Sequence, residues 1–264
     1  FTLSHPIGQQ RLIQSDYRQA YWPLTTYFET QRNQAYCSVA TSVIALNALG
    51  LPRPATALYP DFPFFTQQDF FAVVDKRIAD PEVVSKEGMT LDQLATVLGQ
   101  YPVHIDKVSA DTLDANQLRE LLKKHLREQD RFVLFNFNRR FIGEVGGGHW
   151  SPLAAYHEAS DSVLLMDVAR YKYPPVWVPL ADLLRGAQDP DRRAPWPRIP
   201  ARRPGSDRGA QGQRGGAQDR LPPGRGRRRP AAAAGAQQAG QAGEAEVLRL
   251  LAACVERACP AQYP

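Results

Sequence analysis

The period of the apolar positions changes part-way along the chain, so the pattern predicts helices first and strands later. Apolar residues recur at steps of three and four after Cys37, and this spacing returns after Thr66, Thr90 and Asp114. Gln93 is expected to cap the helix that begins after Thr90. Short apolar or alternating runs, typical of strands, follow. The predicted helices span 37–49, 66–78, 90–98, 114–128 and 180–185, and the predicted strands span 103–108, 131–139, 149–156, 162–168 and 176–178.

This order of elements predicts an α+β protein, in which a helical lobe carries Cys37 and an antiparallel sheet forms a second lobe behind it. Residues 1–30 are expected to be an extended lead-in, because their apolar anchors show no helical period. The packed domain is predicted to span residues 1–187.

Residues 188–264 form a tail of different composition. Arg, Gly, Ala, Pro and Gln dominate it up to residue 243, and it contains no Lys. Such low complexity predicts disorder. A shifted reading frame is a second explanation, because the codons for residues 196–202, displaced by one base, allow the sequence Gly-Arg-Gly-Tyr-Leu-Leu-Val. Residues 245–257 regain an amphipathic pattern and predict a short helix.

The charge is unevenly divided between these two parts. Residues 1–187 carry 18 Lys and Arg against 20 Asp and Glu, whereas residues 188–264 carry 14 against 7. The packed part therefore needs no nucleic acid and no anionic membrane as a partner. The sequence has no apolar run long enough for a membrane span, and its 3 cysteines are too few for a disulfide framework. The compartment and a homodimer are left open.

Cys37 lies where a polar stretch meets the first turn of a predicted buried helix. The unpaired amides and the dipole at a helix N-terminus favour an anion, so the pKa of this thiol is expected to fall. Gln31, which lies six residues upstream, could donate its side-chain amide to an oxyanion formed at the sulfur. A buried structural cysteine is the alternative interpretation.

A histidine and an aspartate follow at positions that suit a partner for this cysteine. His149 begins a predicted strand directly after Gly147 and Gly148, which leave room for a substrate backbone. Asp167 ends the next strand, so the two side chains can be neighbours in an antiparallel pair. An imidazole that accepts the thiol proton, with a carboxylate that fixes its tautomer, is the arrangement of a cysteine nucleophile. A polar strand histidine and a turn aspartate are the alternatives.

Several stretches of the sequence resemble the phytochelatin synthase family, and in particular its short bacterial members. The matching stretches are 21–24, 31–47, 88–91, 147–156 and 167–178, which together cover about residues 20–187. The resemblance implies a papain-like fold and a cysteine transferase or peptidase that acts on glutathione.

The resemblance also implies a mechanism. Cys37 would attack the carbonyl of the Cys–Gly bond, release glycine and form a γ-glutamylcysteinyl thioester. His149 would act as base and then acid, Asp167 would orient it, and Gln31 would stabilise the oxyanion together with the Cys37 amide. Water would then give γ-glutamylcysteine, and a second glutathione would give a phytochelatin. Hydrolysis is the expected main reaction, because the tail lacks the cysteine-rich pattern of plant members.

The predicted substrate-binding residues are Gly147, Gly148, Arg139 and Arg170, of which the arginines would hold the carboxylates of glutathione. No metal ligand is assigned and no cofactor is required. Activation by cadmium or zinc, or a metal–thiolate substrate, is left open by the resemblance. Two other functions remain as alternatives: a peptidase for glutathione S-conjugates, and a non-catalytic thiol- or metal-binding remnant of the fold.

Overall fold

The computed structural model describes residues 1–56, 60–193, 250–251 and 254–256. Its helices are α1 (Pro6–Gln14), α2 (Tyr21–Thr26), α3 (Cys37–Ala48), α4 (Pro81–Glu87), α5 (Leu91–Leu98), α6 (Ala115–Arg127) and α7 (Leu180–Gln188). Its strands are β1 (His104–Val108), β2 (Arg131–Asn138), β3 (Gly148–His157), β4 (Ser162–Leu165), β5 (Val176–Pro179), β6 (Leu250–Leu251) and β7 (Cys254–Glu256). The predicted α+β class is confirmed. None of the helices in these ranges is long and apolar enough to cross a bilayer.

The described strands form one sheet with the order β5-β4-β3-β2-β7-β1-β6. Neighbouring strands are antiparallel, except that β6 runs parallel to β1. The hairpin of β2 and β3 sets Phe137 opposite His149. Just past β4, the Met166 amide donates to the carbonyl oxygen of Pro152 at 3.0 Å. The chain that follows β4 therefore lies next to the first half of β3.

Helix α3 lies inside the protein and is buried from Cys37 to Asn47. Its apolar residues are not confined to one face, which is typical of a helix within a core. Val39, Ile44 and Leu46 have no exposed surface. The helix packs against β3. This packing holds Cys37, the first residue of the helix, against the sheet.

The start of α5, which was predicted from its capping residues, is confirmed. Thr90 accepts a hydrogen bond from the Gln93 amide at 3.3 Å, and Gln93 Oε1 accepts one from the Thr90 amide at 2.9 Å. Asp114 and Gln117 form the same reciprocal pair at the start of α6. These contacts satisfy amides that have no partner within the helix.

The predicted extended lead-in over residues 1–30 is wrong, because α1 and α2 lie there. Pro6 occupies the first turn of α1, where its missing N–H is not needed, and His5 Nδ1 accepts from the Ile7 amide at 3.2 Å. Helix α1 buries only Gly8 and Leu12. Its apolar face is thus too narrow to produce a helical period in the sequence.

The predicted helix over residues 66–78 is also wrong, since this segment is a series of turns. Its amides bond three residues back, as in Ala72 to Asp69 and Val74 to Phe71. The Phe70 carbonyl oxygen instead accepts a hydrogen bond from the hydroxyl of Tyr101. This tertiary contact takes the acceptor that a helix would offer to the amide of Val74.

The short helix predicted over residues 245–257 is not formed where the chain is described, because β6 and β7 lie there. Val255 pairs with Ile105 on β1 and with Phe132 on β2. Strand β7 satisfies backbone groups on both neighbours, which outweighs a weak helical pattern. The remainder of the predicted tail, residues 194–249, 252–253 and 257–264, lies outside the described residues. The domain boundary near residue 187 stays a prediction.

His125 makes the stability of this fold sensitive to acid. It is buried on α6, and its Nδ1 has no hydrogen-bond partner among the residues that the structure describes. Burial, together with the charges of Arg131 and Lys124, lowers the pKa of His125 from its ordinary value of 6.5 to about 4. The unfolded chain binds this proton more readily, so stability is lost as the pH falls from 6.5 towards 4.

We therefore expect His125→Leu to flatten the loss of stability below pH 6.5. Urea unfolding at pH 7.5, 6 and 5 should show that the wild type loses about 1–2 kcal/mol more than the variant over this range. His5→Asn, which replaces an exposed histidine by another good helix cap, is the matched control. Equal slopes for the wild type and His125→Leu would contradict the prediction.

Candidate active site

Cys37 is buried at the N-terminus of α3, where the amides of Trp150 and Ser38 donate hydrogen bonds to its sulfur. Burial nevertheless raises the pKa of the thiol, although these amides and the charge of Arg139 oppose it. The predicted fall in this pKa is therefore wrong in direction, because desolvation outweighs the helix terminus. The thiol needs a base to give up its proton.

His149 and Asp167, which were predicted to be neighbours, are in contact. His149 Nε2 lies 3.0 Å from Asp167 Oδ1 and 3.0 Å from the hydroxyl oxygen of Ser151. The imidazole packs edge-on against Phe137, with 5.8 Å between the ring centroids. Both the Asp167 and the Ser151 contacts use Nε2 of the imidazole. Trp150, whose amide bonds the Cys37 sulfur, directly follows His149 in β3.

The histidine is held in its neutral form. Burial and the positive charge of Arg139 lower the pKa of His149 to about 4, while Asp167 opposes this change. Burial alone would raise the pKa of Asp167, but the hydrogen bonds and charges of His149 and Arg139 bring it well below its usual range. At neutral pH the site thus contains a neutral imidazole beside an ionised carboxylate, which is the resting state of a general base.

The structure places Arg139 behind the histidine–aspartate pair and not in a position to meet a substrate. Its two Nη atoms donate to the two carboxylate oxygens of Asp167 at 2.5 and 2.8 Å, and it also pairs with Glu144. Only 1% of its side chain is exposed. Its guanidinium lies over the ring of Tyr173 at 5.2 Å. The predicted substrate-binding role of Arg139 is therefore corrected to one of holding Asp167.

Gln31 lies on the same side of the site. The backbone amide of Gln31 donates to the Val168 carbonyl oxygen at 3.0 Å. This bond holds Gln31 next to the chain that carries Asp167. The side-chain Nε2 donates to the Asn33 carbonyl oxygen at 2.7 Å and to the Tyr171 hydroxyl at 3.3 Å. The side chain of Tyr171 is largely exposed. The oxyanion role of Gln31 stays a prediction.

The remaining predicted substrate-binding residues differ in their surroundings. Within the described part of the chain, a Cβ atom at Gly147 would meet no heavy atom within 4 Å, so this glycine leaves open space. A Cβ atom at Gly148 would lie 1.8 Å from the Arg192 carbonyl oxygen. The backbone of Arg192 therefore occupies the space that a substrate was expected to use. Arg170 is exposed, and its guanidinium lies over the ring of Phe28 at 5.0 Å. Gly147 thus fits the reason given for it, Gly148 does not, and the substrate-binding role of Arg170 stays a prediction.

A cleft with a volume of about 410 Å³ reaches Cys37, Gly148 and Trp150. Three basic residues that the sequence did not single out, Lys76, Arg77 and Arg192, also line it. Lys76 and Arg77 are consecutive, whereas Arg192 comes from a distant part of the chain, and none of the three belongs to a local motif. The acidic residues Asp80 and Glu87 lie in the same cleft. Across the described part of the chain, no group of three or more His, Cys, Asp and Glu side chains could hold a metal ion.

Comparison with protein families agrees with this site. The family model for phytochelatin synthase matches residues 2–198. The chain belongs to the phytochelatin synthase family. This confirms the family that the sequence motifs predicted.

Curated proteins similar to this chain are glutathione gamma-glutamylcysteinyltransferases. Glutathione gamma-glutamylcysteinyltransferase 3 from Lotus japonicus is 29% identical over 66% of this chain and 35% of its own length. Protein 1 from Triticum aestivum is 30% identical over 64% of this chain and 32% of its own length. The Schizosaccharomyces pombe protein is 24% identical over 64% of this chain and 40% of its own length. The chain thus spans about a third of the length of these phytochelatin synthase relatives.

The two glycines before His149 should respond differently to substitution. Gly148→Ala forces its new methyl group against the Arg192 carbonyl, so we expect a loss of about 1–3 kcal/mol in the free energy of unfolding. Gly147→Ala, the matched control, meets open space and should stay within about 0.5 kcal/mol of wild type. Urea unfolding of both variants checks this, and equal stabilities would show that the Arg192 backbone does not pack against Gly148.

Proposed function

We propose that this protein is a papain-like cysteine enzyme that cleaves the Cys–Gly bond of glutathione. The observation that carries the proposal is the buried Cys37 beside the strand of His149, whose ring is held by Asp167 at 3.0 Å. Membership of the phytochelatin synthase family supports it. The names of the relatives, glutathione gamma-glutamylcysteinyltransferase, supply the substrate class.

The first half of the reaction forms a thioester. Nδ1 of His149 accepts the proton of the Cys37 thiol as the sulfur attacks the carbonyl carbon of the Cys–Gly bond. The same nitrogen then gives this proton to the leaving nitrogen, so the C–N bond breaks and glycine departs as an amine. Asp167 keeps Nε2 protonated and stabilises the imidazolium that forms between these steps. Because burial raises the pKa of the thiol, proton transfer and attack are expected to be coupled.

Negative charge develops on the carbonyl oxygen during this attack. The backbone amide of Cys37 at the start of α3 is a suitable donor to this oxygen, since the first amides of a helix have no partner within it. The side-chain amide of Gln31 is proposed as the second donor, for which it would turn away from the Asn33 carbonyl when substrate binds.

The cleft has groups of both charges for a tripeptide zwitterion. Lys76 and Arg77 are exposed there and can pair with the carboxylates of glutathione, while Glu87 can pair with its ammonium group. A volume of about 410 Å³ is the size of a site for one small ligand. We therefore propose that water is the main acceptor of the acyl group and that transfer to a second glutathione, which makes phytochelatin, is secondary. Activation by cadmium or zinc stays a prediction.

Release of glycine from glutathione by the purified full chain tests this function. We expect γ-glutamylcysteine and phytochelatin together to equal the glycine released, with γ-glutamylcysteine the larger share, and no product from Cys37→Ser. Cys254→Ser, which removes a thiol elsewhere in the chain, is the matched control and should retain the activity. Faster cleavage of S-methylglutathione than of glutathione would favour a peptidase for S-conjugates. No release by a folded wild-type protein would contradict the proposal and favour a non-catalytic member of the family.

A further inference from the structure

Glu144 is a buried carboxylate that the mechanism above does not use. Its side chain is 9% exposed and pairs with the guanidinium of Arg139. The same guanidinium binds both oxygens of Asp167, which has no exposed surface. One buried positive charge is therefore shared by two buried carboxylates, and one of these holds the imidazole of His149.

The loop that carries Glu144 is fixed in place. Its amide donates to the Arg139 carbonyl oxygen at 3.1 Å, and the Val145 amide donates to the Tyr173 hydroxyl at 2.8 Å. Lys172 Nζ donates to the Val145 carbonyl oxygen at 2.6 Å. These bonds join the loop before His149 to the loop after Asp167. Glu144 is thus held against Arg139 by backbone contacts and not only by the ion pair.

We propose that Glu144 is a positioning residue for the reaction: it holds Arg139 against Asp167 and sets the pH range in which Cys37 and His149 work. This inference rests on the proposed function of the site. Arg139 alone lowers the basicity of His149, since a positive charge disfavours the imidazolium. An ionised Glu144 offsets that charge and leaves Asp167 free to support the imidazolium.

The electrostatic surroundings of Glu144 agree with this role. Burial raises the pKa of Glu144 to about 7, while Arg139 opposes the rise and the negative charge of Asp167 adds to it. Lys172 faces the same cluster from the neighbouring loop. Removal of the Glu144 charge should therefore lower the pKa of the Cys37 thiol, which loses its proton only above the pKa of Glu144.

The pH profile of kcat/KM for glycine release tests this role in the full-length protein. In Glu144→Gln the alkaline limb of the profile should move to lower pH by about one unit, because one nearby negative charge is lost, whereas the acid limb, which lies below the pKa of Glu144, should stay in place. Glu144→Asp, which keeps the charge on a shorter side chain, should return the profile towards wild type. Glu158→Gln is the matched control, since it removes the same charge from an exposed pair with Lys123. A lower rate with an unmoved alkaline limb would reduce Glu144 to a structural role and overturn the proposal.

The rate at which iodoacetamide alkylates Cys37, followed by mass spectrometry of its peptide against pH, separates this inference from the proposed function. Alkylation needs the thiolate but not glutathione. A shift to lower pH in Glu144→Gln, with no glycine release by the wild type, would support the positioning role and contradict only the proposed function. Superimposed alkylation profiles of wild type and Glu144→Gln would overturn the positioning role whatever the activity.

Discussion

The site depends on the buried ion pair between Asp167 and Arg139. A carboxylate with no exposed surface is tolerated only when its charge and its lone pairs are fully satisfied. Arg139 supplies two hydrogen bonds, the Ala169 amide supplies one at 2.7 Å, and His149 supplies the last at 3.0 Å. Asp167 is thereby kept ionised and immobile. Without this pair, the imidazole would have neither a fixed tautomer nor a partner for its positive charge.

Two elements of the fold, strand β3 and helix α3, position the groups around the nucleophile. Strand β3 supplies His149 and Trp150 in succession, so that one residue faces Asp167 and the amide of the next bonds the Cys37 sulfur. Helix α3 is buried on all sides and cannot shift its first residue away from the sheet. Burial makes both the thiol and the imidazole neutral at rest. In the proposed mechanism, charge separation is therefore favoured only when a substrate carbonyl is present to accept the sulfur.

The residues that sequence reasoning recovered are those with strong local signals. Cys37 begins an apolar helix, His149 follows a run of glycines, and Asp167 ends a strand, so each could be placed by its neighbours. The reciprocal caps at Thr90 and Gln93 were equally local. The contact between His149 and Asp167 followed from antiparallel pairing of adjacent strands, which needs no knowledge of the rest of the fold.

What could not be predicted depends on contacts between distant parts of the chain. The helix expected over 66–78 gives way to turns because the Tyr101 hydroxyl takes the Phe70 carbonyl. In place of the helix expected over 245–257, the described residues form strands, because β7 pairs with both β1 and β2. Arg139 was assigned to the substrate because its type suits carboxylates, but the carboxylates that it meets belong to the protein.

Trapping with hydroxylamine tests the central claim, a thioester on Cys37, most directly. Hydroxylamine competes with water for a thioester, so glutathione should give the hydroxamate of γ-glutamylcysteine at the expense of the free acid, while glycine release continues. Cys37→Ser should give neither product. Glycine release that yields only γ-glutamylcysteine at every hydroxylamine concentration would contradict the account, because it would mean that water attacks the peptide bond without a covalent intermediate.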